Sequence, residues 1–290
     1  MRIVKLLGGL GNQMFQFALY EALRRQHPDE RVLVDLRCFK GYHKHRGFEL
    51  DKVFGVKAEK ASWTEVAKIA YPYPNFQCWR IGSRLLPPRK TMLCEQPNFT
   101  LEPEALIREG DTYYDGYWQH EEYFKAIRGE LLKLYSFPTF SDERNQKLAQ
   151  RLSETKSCSL HIRRGDYLTD PLRKGTIGTD YVVRAIDRMR NEVKPDCWCL
   201  FSDDANWTRD HVIPLLPESD LVLVDWNGDD RSVNDMHLMS LCQYHIIANS
   251  SFSWWGAWLS ERQEKCVIAP DFWMTGKNVC SPVPEGWIKI

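Results

Sequence analysis

Two adjacent arginines follow a predicted buried β-strand near the middle of the chain, in the sequence Ser159-Leu-His-Ile-Arg-Arg-Gly-Asp-Tyr167. Strand alternation places His161 and Arg163 on one face, and Arg163 and Arg164 then enter a loop. Guanidinium groups are planar forks that match phosphate oxygens and stay charged at any working pH. The pair therefore predicts a site for a diphosphate leaving group. The alternative is a surface ion pair between an arginine and Asp166, with His161 a packed core residue.

A glycine-rich loop, Gly8-Gly-Leu-Gly-Asn-Gln13, lies between a predicted strand and a predicted helix. Glycines let the backbone approach a ligand, and a helix N-terminus attracts anions. The spacing differs from a dinucleotide fingerprint, and the lysine of a Walker loop is missing. A plain tight turn explains the loop equally well.

A polar stretch, Asn249-Ser-Ser-Phe-Ser253, also lies between a predicted strand and a predicted helix. Hydroxyls and unpaired backbone amides at a helix start form an anion cradle. Capping by Ser250 or Ser251 is the simpler reading, and it is compatible with phosphate binding.

The segment Phe201-Ser-Asp-Asp204 ends another predicted strand. A carboxylate there matches the N1–H and exocyclic amine of guanine, and a metal-binding acidic pair or a helix cap are the alternatives. We favour guanine over metal, because the arginines already supply positive charge at the phosphates.

Strand-like and helical patterns alternate along nearly the whole chain, which predicts parallel sheets with right-handed crossovers. We expect an α/β fold with two Rossmann-like domains, residues 1–150 and 151–290. A helix over residues 142–152 is expected to bridge them. Residues 71–103 have no clean periodicity, which predicts long loops with short pieces of helix. Residues 121–134 predict a helix.

The composition excludes some classes of partner. The 290 residues include 39 basic and 39 acidic side chains, for zero formal net charge, and no basic stripe points to nucleic acid. Nine cysteines occur without a CxxC pair, which argues against a disulfide framework and a zinc site and favours a reducing cytosol. No apolar stretch approaches the ~20 residues of a membrane span. We expect a cytoplasmic protein with at most peripheral association with the inner membrane face.

Together the motifs resemble those of the bacterial α-1,2-fucosyltransferases of glycosyltransferase family 11. The resemblance covers nearly the whole chain, in the family's order, whereas residues 37–120 carry no matching motif and are expected to hold much of the acceptor site. The matching stretches are Gly8–Gln16, His161–Tyr167, Phe201–Asp204 and Asn249–Trp258.

The resemblance implies the GT-B architecture, in which the two Rossmann-like domains face each other across a cleft. The N-terminal domain would then bind the acceptor and the C-terminal domain GDP-fucose. The implied reaction is an inverting, metal-independent transfer of L-fucose from GDP-β-L-fucose to the 2-hydroxyl of a terminal β-galactoside. No cofactor is implied beyond the donor. The implied acceptor is a galactose-terminated oligosaccharide of a bacterial surface glycan.

The resemblance also implies roles for individual residues. Arg163 would contact the β-phosphate, where negative charge grows as the fucosyl–oxygen bond breaks. Asp203 and His161 would recognise guanine, and Asn12 would reach the fucose or the phosphate from the first helix. The implied donor-binding set is Gly11, Asn12, His161, Arg163, Arg164, Ser202, Asp203, Asn249, Ser250, Ser251, Phe252 and Ser253.

Arg163, Asn12 and Asp166 form the expected catalytic set, with Asp166 as the first choice for the base. Asp170 and Asp115 are weaker choices. An aspartate paired with arginine has a lowered pKa and is a poor base, although a dissociative transition state reduces the need for a strong one. Two alternatives stay open: a GDP-fucose-dependent fucosyltransferase of another linkage, and a non-catalytic GDP-sugar-binding protein.

Overall fold

Parallel β-sheets form the centre of both halves of the chain. The computed structural model describes residues 1–96, 98–168, 177–217, 220–228, 231–274 and 280–290, and at Asp166 it describes the backbone alone. The chain divides into two units, Met1–Pro138 and Thr139–Ile290. Each unit joins its strands through helices. The prediction of an α/β chain with two Rossmann-like domains is confirmed.

The sheet of the first unit has β1 and β4 at its centre and parallel pairing throughout. The strands are β1 (Arg2–Lys5), β2 (Val32–Asp35), β3 (Met92–Cys94) and β4 (Thr112–Asp115). Their order in the sheet is β2-β1-β4-β3. The connection from β1 leads to β2 on one side, whereas β4 and β3 lie on the other side. The switch point is therefore between β1 and β4, which is where an open parallel sheet forms its ligand crevice.

The helices of the first unit differ strongly in burial. The described helices are α1 (Leu10–Gln26), α2 (Leu50–Phe54), α3 (Trp63–Ile69), α4 (Phe76–Leu85), α5 (Glu104–Ile107) and α6 (Arg128–Leu134). Most of α1 is buried, as expected for a helix that follows the central strand, whereas α4 has no buried residue. A capping box of Ser62 and Glu65 starts α3: the side chain of each residue accepts the backbone N–H of the other.

The second unit contains a six-stranded parallel sheet. Its strands are β5 (Ser157–Ile162), β6 (Cys197–Ser202), β7 (Asp220–Val224), β8 (Tyr244–Ile246), β9 (Cys266–Ala269) and β10 (Ile288–Lys289). The order β10-β9-β8-β5-β6-β7 is that of a doubly wound dinucleotide-binding fold, with the switch point between β5 and β8.

Helices cover both faces of this sheet. They are α7 (Glu143–Glu154), α8 (Thr179–Glu192), α9 (Ala205–His211), α10 (Val233–Leu241) and α11 (Ser251–Leu259). On one face Ile186 and Met189 of α8 pack in a cluster with Leu160. On the other face residues of α7 and α10 pack with Cys199 and Phe201. All six residues of β5 are buried, as expected for a central strand covered on both faces, and none of them carries a permanent charge.

Three details differ from the sequence-based expectations. The chain divides after Pro138 rather than after residue 150, so α7 belongs to the second unit and is not a bridge. Residues 71–103 contain α4, in agreement with the expected pieces of helix, and also β3, which was not expected; β3 has only three half-buried residues, too few to show a period. Residues 121–134 form two 3₁₀ turns before α6.

Candidate functional site

Three of the four motifs follow neighbouring strands of the second unit. In the sheet, β5 lies between β8 and β6, and residues 163–167, 249–253 and 203–204 follow the carboxyl ends of these strands. Ligands of open parallel sheets bind outside the carboxyl ends at the switch point. The structure therefore brings the arginine turn and the serine-rich helix start together at that point.

The Asp203 carboxylate holds the turn that carries both arginines. Its Oδ1 accepts the backbone N–H of Arg164 at 2.8 Å, and its Oδ2 accepts that of Gly165 at 3.0 Å. Nη1 of Arg163 lies 3.0 Å from the same Oδ2. A Cβ atom on Gly165 would lie 2.6 Å from Oδ2, so this position needs glycine. Asp203 thus holds both the turn and the guanidinium of Arg163.

The second arginine is immobilised through α9. Nε of Arg164 lies 3.3 Å from Oδ2 of Asp204, and its guanidinium carbon lies 3.9 Å from the centre of the Trp207 ring. Oδ1 of Asp204 caps α9 by accepting the N–H of Trp207 at 3.1 Å. The helix-cap alternative therefore holds for Asp204. The ion pair of Arg164 is with Asp204; the side chain of Asp166, its expected partner, lies outside the described residues.

His161 is a buried, uncharged imidazole at the end of β5. Burial and, second, the neighbouring charge of Arg163 lower its pKa to about 3. Within the described residues its Nδ1 is buried and has no hydrogen-bond partner. A buried polar atom without a partner is costly, and here it leaves one hydrogen bond available to a ligand beside the arginine turn.

The two loops at the switch point are joined by a hydrogen bond. The hydroxyl of Tyr167 donates to the backbone carbonyl of Asn249 at 3.0 Å, and the amide of Asn249 donates to the carbonyl of Trp273 at 3.0 Å. The position of the α11 start is thereby tied to the arginine turn. Aromatic packing holds the helix itself, because Trp254, Trp255 and Trp258 are buried.

The hydroxyls of the serine-rich segment have different roles. Oγ of Ser250 accepts the N–H of Phe252 at 3.3 Å and caps α11. The hydroxyl of Ser253 is buried and bonds back to backbone carbonyls. Ser251 and Phe252 are partly exposed. Ser250 and Ser253 therefore hold the turn, and of the three serines only Ser251 is partly exposed.

Ser202 is an internal support of the same edge. Its Oγ accepts the N–H of Asp204 at 3.0 Å and the hydroxyl proton of Thr208 at 2.8 Å. Both bonds fix the turn between β6 and α9. Ser202 therefore positions the two aspartates.

In the first unit the glycine loop follows β1 at the switch point of the smaller sheet. Gly8 has a φ of +102°, and a Cβ there would lie 2.8 Å from the Asn12 amide nitrogen. Gly11 and Asn12 lie in the first turn of α1. Nε2 of Gln119, in the segment after β4, donates to Oδ1 of Asn12 at 2.8 Å.

Two buried glutamines of α1 hold this loop and had no role in the sequence-based prediction. Gln13 donates to the carbonyl of Gly8 and accepts the N–H of Glu49, both at 2.8 Å. Gln16 accepts the N–H of Leu7 at 2.9 Å and donates to the carbonyl of Gly116 at 2.9 Å. The signal in the sequence was the position of both glutamines among apolar residues of a predicted helix after a glycine loop, because an amide buried with such neighbours must find polar partners.

The three candidates for the base fare differently. Asp170 and the Asp166 side chain lie outside the described residues. Asp115 is an ion-pair partner of Lys5, and its other oxygen accepts the indole N–H of Trp79 at 2.9 Å. Because both oxygens are occupied, Asp115 is a poor choice.

Two further carboxyl groups with raised pKa values were not identified in the sequence analysis. Glu95 follows β3 at the carboxyl edge, and burial raises its pKa to about 7 although the N–H groups of Tyr117 and its neighbours donate to it. Burial also raises the pKa of Asp235 to about 7, against a hydrogen bond from Asn227. Neither position was visible in the sequence, since β3 was not predicted and the Asp235 contacts come from another segment.

Two absences concern the described part of the chain. It contains no group of three or more histidine, cysteine, aspartate or glutamate side chains arranged to hold a metal ion. Nor does it contain a helix with both the length and the hydropathy needed to cross a bilayer.

Comparison with known proteins finds relatives over nearly the whole length of the chain. Residues 106–280 match the model of glycosyl transferase family 11. The chain is 33% identical to an alpha-1,2-colitosyltransferase of Escherichia coli, over 99% of this chain and 98% of the relative. It is 28% identical to the O-antigen biosynthesis glycosyltransferase WbnK of E. coli, over 98% and 99%. It is 30% identical to a galactoside 2-alpha-L-fucosyltransferase of Caenorhabditis elegans, over 59% and 45%.

The family match and the full-length relative make this chain a glycosyltransferase, built of two successive Rossmann-like units with an arginine turn at the switch point of the second. The chain belongs to glycosyltransferase family 11. The predictions of the family and of an enzyme are confirmed.

Proposed function

We propose that this glycosyltransferase transfers L-fucose from GDP-β-L-fucose to the 2-hydroxyl of a terminal β-galactoside, with inversion and without a metal ion. The observation that carries the proposal is the guanidinium of Arg163, fixed by Asp203 at the switch point of the second unit. An α-1,2 linkage is supported by the activities of the E. coli and C. elegans relatives. The second unit would bind the donor, and the first unit the acceptor.

Arg163 is proposed to stabilise the departing GDP. Breaking the fucosyl–oxygen bond places negative charge on the β-phosphate, and a prepositioned charged donor stabilises that charge without reorganisation. Asp203 supplies the prepositioning, because it orients the side chain and also accepts the two following backbone N–H groups. Arg164 adds a second positive charge beside the same turn.

The start of α11 is proposed to hold the diphosphate from the other side of the switch point. Backbone N–H groups of a first helical turn bind anions, and the helix dipole favours negative charge there. Asn249 and Ser250 fix the direction of the turn. Ser251 and Phe252 are partly exposed on it and are the proposed contacts.

Guanine recognition is assigned first to His161. A neutral imidazole nitrogen is a suitable acceptor for the N–H groups of the base, and Nδ1 of His161 has no hydrogen-bond partner among the described residues. Asp203 is also a proposed guanine contact, but its oxygens already bind three donors of the arginine turn. A guanine would therefore share this carboxylate.

The acceptor hydroxyl is proposed to attack the anomeric carbon in one in-line displacement, which turns a β-linked donor into an α-linked product. Asp166 is the proposed base. Asn12 is proposed to donate its amide N–H groups to the sugar or the phosphate, since its Oδ1 is already occupied by Gln119. Gly11 would allow the close approach.

The test is a transfer assay with purified protein, GDP-fucose, EDTA and a panel of β-galactosides, followed by mass and linkage analysis of the product. The expected product is 2-linked α-fucoside. Arg163→Ala is the inactive variant, and Arg188→Ala, an exposed arginine of α8, is the matched control. A product of another linkage would favour the second fucosyltransferase alternative. Tight GDP binding without transfer or donor hydrolysis would favour a binding protein.

One relative supports a second donor. The alpha-1,2-colitosyltransferase of E. coli matches 99% of this chain, and colitose is L-fucose without its 3-hydroxyl. The assay should therefore be run in parallel with the GDP-linked form of each sugar. A strong preference for the sugar without the 3-hydroxyl would replace fucose in the proposal while leaving the α-1,2 linkage in place.

A further inference from the structure

Helix α4 is fixed to the first unit by one face only. Asn75 caps it by accepting the N–H of Cys78 at 2.9 Å. Phe76 packs against Tyr42 with ring centres 4.6 Å apart, and Trp79 packs against Phe76 at 5.7 Å. The inner face of α4 is therefore aromatic and well anchored.

Gly82 completes this inner contact. A Cβ atom at Gly82 would lie 2.2 Å from the ring of Tyr73, so only glycine admits that ring. The hydroxyl of Tyr71 donates to the carbonyl of Pro87 at 3.1 Å just beyond the helix. The orientation of α4 is thus set, and its opposite face must point to solvent.

The opposite face is apolar. Residues 78, 81 and 85 are spaced by three and four and share one side of the helix. Ile81 is 60% exposed, Leu85 74% and the following Leu86 44%. These are three of the seven large hydrophobic side chains exposed among the described residues, and they lie within six positions of one another. An exposed apolar patch of this kind marks an interaction surface.

Positive charge borders the apolar face. Between Glu65 and Glu95 the chain has basic residues and no acidic one, although its formal net charge is zero. Arg80 and Arg84 are exposed one helical turn apart, and neither takes part in an ion pair of the described residues. Arg89 is different, because its guanidinium donates to the carbonyl of Ala67 at 2.8 Å.

We propose that the outer face of α4, formed by Ile81, Leu85, Leu86, Arg80 and Arg84, binds the surface of an anionic lipid bilayer. Short apolar side chains beside arginines insert at the headgroup boundary while the guanidinium groups pair with lipid phosphates. A second copy of this chain is a poorer occupant. A two-fold contact through the same face would set the arginines of one copy against those of the other. This proposal does not depend on the donor or the linkage.

The experiment is flotation of the whole protein with vesicles of phosphatidylcholine alone and with added phosphatidylglycerol. Binding is expected only with the anionic lipid and should weaken with salt. The double variant Arg80→Ala/Arg84→Ala should lose about five-fold per arginine. Leu85→Ser should lower binding by about ten-fold or more through lost apolar contact.

Matched control variants distinguish binding through this surface from nonspecific binding through positive charge or exposed apolar side chains elsewhere. Arg184→Ala/Arg188→Ala removes two arginines at the same spacing on α8, and Ile107→Ser removes an isoleucine that is 66% exposed on α5. Both should bind like the parent protein. Thermal unfolding by circular dichroism should show that every variant is folded.

Three results would overturn the proposal. One is absence of vesicle binding by the parent protein. Another is an equal loss of binding in the α4 and control variants. The third is self-association, seen as concentration-dependent mass in light scattering and removed by Leu85→Ser, which would assign the face to a second copy instead.

Discussion

Nε2 of Gln119 lies 2.8 Å from Oδ1 of Asn12 and donates a hydrogen bond to it. This bond fixes which end of the Asn12 amide faces the solvent, because Oδ1 is turned to Gln119 and the NH₂ group is left for a ligand. An amide that presents donors suits a phosphate or a sugar hydroxyl. The orientation comes from a residue more than a hundred positions away in the sequence.

Gln119→Glu should therefore weaken catalysis. A glutamate cannot donate to Oδ1 of Asn12, so the amide would turn and present its oxygen to the substrate. We expect kcat/KM to fall by about ten-fold, the value of one hydrogen bond. Gln150→Glu, on the exposed side of α7, is the matched control and should be neutral. Equal activity of Gln119→Glu and the parent enzyme would remove the orienting role.

Arg163→Ala should reduce kcat by at least about 100-fold while the protein stays folded, because the lost interaction acts on charge that develops in the transition state. Arg163→Lys should recover little, since an ammonium group cannot reproduce the fork that Asp203 orients. The measurement is steady-state transfer with thermal unfolding alongside. Turnover near that of the parent enzyme would show that another residue faces the departing diphosphate.

Asp203→Ala distinguishes two roles of this carboxylate, the positioning of Arg163 and the recognition of guanine. If Asp203 positions Arg163, kcat should fall by about ten-fold or more. The change should then cause little further loss when it is added to Arg163→Ala, because the two side chains act as one unit. Guanine recognition predicts a higher KM for the donor, an unchanged kcat and additive effects. Asp210→Ala, an exposed aspartate of α9, should behave like the parent enzyme.

The second unit could be predicted well from the sequence for a physical reason. The strands β5, β6, β8 and β9 are almost entirely buried, so each is a short run without acidic, lysine or arginine residues. The helices α7 and α8 are amphipathic, so they show the helical period. Ligands bind at the carboxyl ends of parallel strands, and this rule is enough to place the arginine turn and the α11 start at the same edge of a sheet. That β5 and β8 are neighbours in the sheet is known from the structure.

The remaining features depend on contacts between distant segments. Nothing in the local sequence shows that Asp203 accepts two backbone N–H groups of residues 164–165, or that Gln119 meets Asn12. The strand β3 was missed because three half-buried residues carry no period. The outer face of α4 is apolar where an ordinary surface helix is polar, so the bounds of this helix could not be assigned within a segment predicted to contain loops and short pieces of helix.

Gly165→Ala should impair the enzyme as much as removal of Asp203. The added methyl group would lie 2.6 Å from Oδ2 of Asp203, so the turn must move and release Arg163. Gly129→Ala is the matched control, since a Cβ at Gly129 has no neighbour within 4 Å. In the helix α6 that change should stabilise the protein by about 0.5–1 kcal/mol. Full activity of Gly165→Ala would argue against a rigid turn.

Glu95 should make the protein less stable as the pH rises. Its folded pKa of about 7 exceeds the ordinary value of 4.5, so the folded state retains a proton that the unfolded chain has lost. The free energy of unfolding therefore falls between about pH 4.5 and pH 7, by up to about 3 kcal/mol. Glu95→Gln should make the fall smaller by this amount and leave the contribution of Asp235, whose pKa is also raised to about 7, whereas Glu109→Gln, an exposed glutamate, should retain the full fall. Urea unfolding at several pH values measures both, and parallel curves for the parent protein and Glu95→Gln would refute the assignment.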